Sequence, residues 1–371
     1  MREIEKYKAA FKDGEDFDIE AIRPIIDSMS RSPSKYKLQF LLFISRGDPL
    51  DSIRGWHRHG FEPKINKMAD FAEIDLKRTI ERSSLEGGLR RLSGSFGLWR
   101  VAESDIWVAF TSDSPDFFKN GLVSFIESYR PSFTRMFLNS DELKDVFIAV
   151  EKRLSCDIWV NKAIVYPHGK RARIDFNKRP YLEVFNSPDL EDRYVDKIDF
   201  SLRKDGRVLF HGFISRDCIC YYLSGKVEYL FNCIIPSMIT RGERKRHGFK
   251  NVERHSGQGD VRPLTISFDR DLLTDRIHNE VLARAVSSIQ RSAIAVYHMN
   301  PYLHLSLTDF IDGSTMDIVS TSASEVSIYP GYNCSFYSLT RVSEEISKNF
   351  YEGKIEEATP HRYGLADFIG A

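Results

Sequence analysis

Hydrophobic positions recur along this chain in two periods, and the period assigns each element. Leu143, Val146, Phe147, Val150 and Leu154 fall at the i, i+3, i+4, i+7, i+11 spacing of one helix face. Asn139, with Glu142 three residues on, supplies an N-terminal capping signature in front of them. Strand candidates follow at 158–166, 171–176, 198–202, 208–214 and 218–223, with a polar, proline-bearing insertion at 177–196. A helix at 226–239 carries Val227, Leu230, Phe231, Ile234, Ile235 and Met238, and Pro236 is expected to kink or end it. The order then repeats. Leu264, Ile266 and Phe268 alternate as a half-buried strand does, and a helix from about 271 carries Leu273, Ile277, Val281, Ala285 and Ile289. Strands at 293–297, 303–310, 316–320 and 326–329 precede a last helix with Leu339, Val342, Ile346 and Phe350.

The first third of the chain is less regular. Residues 18–30 read as a short helix, and 38–44 as a buried strand or short buried helix. Residues 55–60 read as a loop and 64–86 as a helix carrying Ile65, Met68, Phe71, Ile74 and Leu76, ended by Gly87 and Gly88. Two strands at 96–101 and 106–110 lead into a helix at 116–129, closed by Pro131. The expected fold is α+β: two lobes of antiparallel sheet with helices packed on one face, preceded by a mixed α/β N-terminal region. The expected divisions are 1–138, a first lobe at 139–240, a basic glycine-containing linker at 241–260, a second lobe at 261–355 and a tail at 356–371. The element order of the two lobes, helix, several strands, helix, resembles the architecture of TATA-box-binding proteins. The resemblance lies in element order alone, and order does not imply function.

Composition narrows the classes. The 53 Lys and Arg residues balance 53 Asp and Glu, which excludes a histone-like, fully basic nucleic-acid binder while leaving room for local basic patches. The first eighteen residues are charged throughout and hold no apolar stretch of a signal peptide, and the longest apolar runs, 38–44 and 229–239, are far short of a membrane span. The five cysteines make no CxxC pair, so neither a disulfide framework nor a structural zinc site is expected. A cytoplasmic location without cofactor or metal is the expectation. The chain also lacks the phosphate-loop, dinucleotide-fingerprint, nucleophile-elbow and zinc-protease motifs of common enzyme classes.

Charge is segregated. Residues 241–255 hold six Lys and Arg against two Glu, and residues 168–179 hold five against one Asp. Lys77, Arg78, Arg82, Arg90 and Arg91 make a third basic stretch, with acidic counterweights at 13–20 and 189–199. Glycines at 242, 248, 257 and 259 mark 241–260 as an exposed, flexible loop, the setting in which cations neutralise phosphates and release counterions. Lys170, Arg171, Arg173, Arg241, Arg244, Lys245 and Arg246 are the candidate contacts to nucleic acid, or to the acidic surface of a protein partner in a larger complex. Three further constellations carry possible chemistry. His298, His304 and Asp309 could serve an unfamiliar hydrolase or nuclease, although strand alternation turns His304 and Asp309 to opposite faces. Arg241 and His247 have a spacing that resembles the Arg-x4–6-His motif of HEPN ribonucleases, and His57-x-His59 offers two imidazoles to a metal.

Overall fold

The computed structural model describes residues 38–55, 58, 60–68, 71–81, 88–101, 104–170, 172–257 and 261–357. These residues form 17 strands, all antiparallel, in sheets of eleven and six, together with seven α-helices. The chain divides into two compact units between Glu243 and Arg244. The expected helix at 18–30, the His57-x-His59 pair, Arg82 and the acidic stretch at 13–20 lie outside the described residues.

The first unit begins with β1 (Leu38–Ser45), α1 (Pro49–Gly55), β2 (Phe61–Met68), β3 (Phe71–Glu81), β4 (Leu89–Arg100) and β5 (Ile106–Thr111). A π-helical segment, Phe117–Val123, runs into α2 (Ser124–Ser128), and the short β6 (Phe133–Arg135) follows. The second half of the unit holds α3 (Ser140–Leu154), β7 (Asp157–Pro167), β8 (Ile174–Pro180), α4 (Tyr181–Phe185), β9 (Arg193–Lys204), β10 (Arg207–Ser215), β11 (Ile219–Gly225) and α5 (Ile235–Val252). The strands form one sheet in the order β2-β3-β4-β5-β1-β11-β10-β9-β7-β8, with β6 against β1. The sheet therefore crosses the division expected near residue 138.

β1 is the centre of this sheet. It pairs with β5 through Phe40↔Phe110 and with β11 through Phe40↔Cys220, and all eight of its residues are buried. A continuous apolar run is what a strand covered on both faces requires. Leu41 and Phe43 point into a cluster with Ile74, Phe96, Phe117 and Phe125 beneath the helices of the first half. Phe40 points the other way, 5.5 Å from the Phe231 ring, while Cys220 beside it meets Met238 of α5. Phe147 of α3 packs 4.9 Å from Phe200 on the same side. Each half thus packs its helices on one face, and the two halves use opposite faces.

The helix expected at 64–86 is instead the β2–β3 hairpin. Ala72, Ile74 and Leu76 are buried while Asp75 and Lys77 are exposed, a period of two that the apparent three-residue spacing of Ile65, Met68, Phe71 and Ile74 concealed. The stretch 177–196 is built into the fold, as the end of β8, α4 and the start of β9. The basic stretch expected to be a flexible loop is helical as far as Val252. Pro236 does not end the helix: a π-helical segment, Leu230–Ile234, runs directly into α5, so the proline lies inside a continuous helical run. Gly242 is a packing residue, since a Cβ there would stand 1.7 Å from Met136 Cε. Beyond the helix, Arg254 bridges to Cys334 and donates to the Gly331 and Gly257 carbonyls at 3.2 and 2.7 Å.

The second unit holds β12 (Leu264–Ser267), α6 (Arg276–Ser287), β13 (Ser292–His298), β14 (His304–Asp309), β15 (Ser314–Ser322), β16 (Glu325–Pro330), α7 (Phe336–Asn349) and β17 (Lys354–Glu357). Its sheet runs β13-β14-β15-β16-β12-β17. A strand, a helix, four strands and a helix, with the first strand paired to the fifth, is also the arrangement of 38–128 in the first unit. The repeat of element order expected between 139–239 and 270–350 thus has its topological match between 38–128 and 264–349.

Phe147 and Val150 are buried as their stripe predicts, but Ile277 is 68% exposed and Val281 only half-buried. Steps of four residues advance about 40° past a full turn, so a stripe from 277 to 289 drifts by roughly 120° around the helix. The buried face of α6 is Asn279, Leu282, Ala283 and Val286, at mixed steps of three and four.

Candidate nucleic-acid interface

The basic residues marked in the sequence are dispersed. Lys170 is exposed at the tip of the β7–β8 hairpin, and Arg171 lies outside the described residues. Arg173 donates to both oxygens of Asp175 at 2.6 and 3.0 Å, and Lys162 approaches the same carboxylate at 2.9 Å. The hydrogen bond from Arg173, then that from Lys162, holds the Asp175 carboxyl below the usual carboxylate range. Arg241 is in the first unit, paired with Asp145 at 3.3 Å rather than free on a loop. Arg244, Lys245 and Arg246 belong to the second unit. Of these Arg244 is exposed, while Lys245 and Arg246 are half-buried and engaged with neighbouring groups. Burial lowers the Arg246 pKa. Arg244, His247 and Lys250 are exposed along α5 at three-residue steps, spread over roughly 120° of its surface. His247 stands six residues from Arg241, roughly 120° around the helix, so the two side chains do not converge. In the third basic stretch, Arg78 donates to the Asn120 carbonyl and lies over the Phe61 ring, and Arg90 pairs with Asp116.

The open sheet face of the second unit holds the histidines. His304 Nε2 is 3.8 Å from Asp317 Oδ1 and its ring is 5.0 Å from Tyr297. His298 stacks on Tyr302 and its Nδ1 meets the Tyr302 carbonyl oxygen at 2.9 Å. Asp309 points to the opposite face, fully buried, where it accepts from Arg341 Nη1 at 2.9 and 3.1 Å, Ser338 Oγ at 2.9 Å and the Ile311 N–H at 2.9 Å. The three hydrolase candidates therefore do not form one site. Among the described residues, no cluster of three or more His, Cys, Asp or Glu is placed to hold a metal ion.

A different cluster was not singled out in the sequence. In the second half of the first unit, Ile198, Phe200 and Leu202 of β9 point under α3, which leaves Lys197, Asp199, Ser201 and Arg203 on the opposite face. Register builds rows across that face. Trp159 lies opposite Ser201 and Ser201 opposite His211, while Asp199 lies opposite Phe213 and Phe213 opposite Tyr221. A bulge between Val160 and Lys162 adds Asn161 to β7, and Asn161 Nδ2 donates to Asp199 Oδ1 at 2.9 Å. His211 Nε2 meets the same oxygen at 2.8 Å. Both side chains of this pair are about a third exposed. Arg203 lies 5.2 Å from the centre of the Trp159 ring and donates through Nε to Ser201 Oγ at 3.2 Å. Phe213 stacks on Tyr221 at 5.0 Å, and Phe118 meets Tyr221 edge-on at 5.6 Å, so the face ends against the helix layer of the first half.

This face presents half-exposed rings at Trp159, Phe213 and Tyr221, with Lys162, Lys197 and Arg203 among them, and the hairpin bearing Lys170 and Arg173 extends from its β7–β8 border. The polar alternation of β9 was visible in the sequence. What brings Trp159, Arg203, His211 and Tyr221 together is strand order, which alternation does not encode. No described helix is long and apolar enough to cross a membrane. No protein-family model and no curated protein matches the chain.

Proposed function

We propose that this protein binds nucleic acid, and that the half-exposed β7–β9–β10–β11 face of the first unit receives single-stranded segments. The observation that carries the reading is the interleaving of Trp159, Phe213 and Tyr221 with Arg203, Lys162 and Lys197 on one sheet face. Unpaired bases stack on such rings whatever their identity, while cations beside them neutralise the backbone. His211 and Asn161 add hydrogen-bonding groups of the kind that meet base edges, and Lys170 extends the phosphate track along the hairpin. The exposed Arg244, His247 and Lys250 of α5 are a separate set of phosphate contacts.

The test is a titration of labelled single-stranded RNA, single-stranded DNA and duplex at two salt concentrations. The expected order is single strands above duplex. Trp159→Ala should weaken binding by about 1–3 kcal/mol, the usual worth of one stacked base. Lys170→Ala with Lys197→Ala should flatten the salt slope by about 1.4, near 0.7 per lost contact on a single strand. A parent protein without salt-dependent binding, or a Trp159→Ala variant that binds as the parent does, refutes the reading.

A further inference from the structure

Among the described residues, the two strand orders end in four edge strands, and three of the four are blunted. β2 carries Glu62, Pro63 and Lys64, β8 carries Asp175, Lys178, Arg179 and Pro180, and β17 carries Lys354 and Glu356. Charges and prolines on an edge strand discourage another strand from pairing there. β13, the fourth edge, reads Ser-Ala-Ile-Ala-Val-Tyr-His over 292–298 and holds no Asp, Glu, Lys, Arg or Pro. Ala293 and Ala295 are exposed, Val296 is 42% and Tyr297 65% exposed, and Phe310, just past the neighbouring strand, is 64% exposed. An uncharged, exposed strand edge with apolar flanks is the pattern that folded proteins otherwise avoid.

We infer that β13 is a dimerisation edge, at which the strand pairs antiparallel with β13 of a second copy of this chain. The Phe310 N–H donates to the Arg291 carbonyl at 2.9 Å, and Ser292 lies opposite Asp309. Antiparallel alternation then turns the main-chain groups of 291, 293 and 295 toward β14 and those of 292, 294 and 296 outward. A twofold axis at Ile294 matches these outward groups: Ile294 meets its own copy, Ser292 meets Val296, and about six main-chain hydrogen bonds form. Ala293 then lies opposite Ala295 of the other copy, small against small, and a neutral edge meets a neutral edge. The bulge at Tyr297 ends the pairing stretch beyond Val296.

Sedimentation velocity on the full chain tests this. The parent at tens of micromolar should sediment as a species of twice the 42.9 kDa chain mass. Ala293→Lys with Ala295→Lys places like charges across the axis without entering the core, and should give the single-chain mass. Ala293→Glu with Ala295→Glu should do the same. An equimolar mixture of the Lys and Glu variants should return to the double mass, which a misfolded variant would not. A parent that stays at single-chain mass at every concentration overturns the inference, whether the edge is bare or covered by another part of the chain. A double-mass species that survives the Lys substitutions overturns it equally, since the contact would then lie elsewhere.

Discussion

Arg341→Met is the substitution whose cost the structure defines most sharply. Asp309 is fully buried, and Arg341 bonds both of its oxygens from a side chain that is 17% exposed. Removing the guanidinium leaves a buried carboxylate with only Ser338 Oγ and the Ile311 N–H as donors. Breaking a buried pair in this way costs about 3–5 kcal/mol. Asp309→Asn keeps the shape and removes the charge. Arg341 then keeps the Gln290 carbonyl and some water, so the loss should be nearer 1.5–3 kcal/mol, the usual worth of hydrogen bonds to a charged group. In the double variant no buried charge is orphaned, so its loss should fall below the sum of the singles by about 1–3 kcal/mol. Urea unfolding of the four proteins, followed by circular dichroism, measures the cycle. Arg341→Met within about 0.5 kcal/mol of the parent, or strict additivity, would refute the assignment of Asp309 as a structural anchor between the β14–β15 turn and α7.

Two other outcomes follow from burial. Val150→Asp places a charge at a position 1% exposed and should cost several kcal/mol, whereas Ile277→Asp should stay within about 0.5 kcal/mol because that position is open and lies in the first turn of α6, where a carboxylate suits the helix dipole; thermal melts of both variants would show whether α6 packs on the face described. All five cysteines are buried, and burial pushes the Cys156 thiol up to about 11 and the Cys334 thiol to about 12. Their thiolate forms are therefore scarce at pH 8, and intact-mass measurement should find iodoacetamide adducts only after denaturation, with rapid native labelling as the contrary result.

The elements that local pattern governs were legible from the chain. Asn139 and Glu142 mark the start of α3 because the cap is a contact between residues three apart, and Glu142 does accept from the Asn139 N–H at 2.7 Å. Leu303, Leu305 and Leu307 alternate with His304, Ser306 and Thr308 because one face of β14 is covered and the other is open, and the same alternation turned Asp309 away from His304. Tertiary structure decided the rest. Residues 64–81 show mixed spacing, and only pairing with β4 makes the burial of Ala72, Ile74 and Leu76 a strand pattern. Gly242 reads as flexibility in a basic stretch, but the end of the Met136 side chain, more than a hundred residues away, fills the place a Cβ would take. Basic residues announce themselves in sequence whether or not they are paired, so Arg173 and Arg241 looked available while Asp175 and Asp145 were engaging them. Trp159, Arg203, His211 and Tyr221 lie on four strands, and nothing local in any one strand states which others stand beside it. Period reports which face of an element is covered; the neighbour that covers it, and the side chains that meet on the face left open, depend on strand order and register between distant segments.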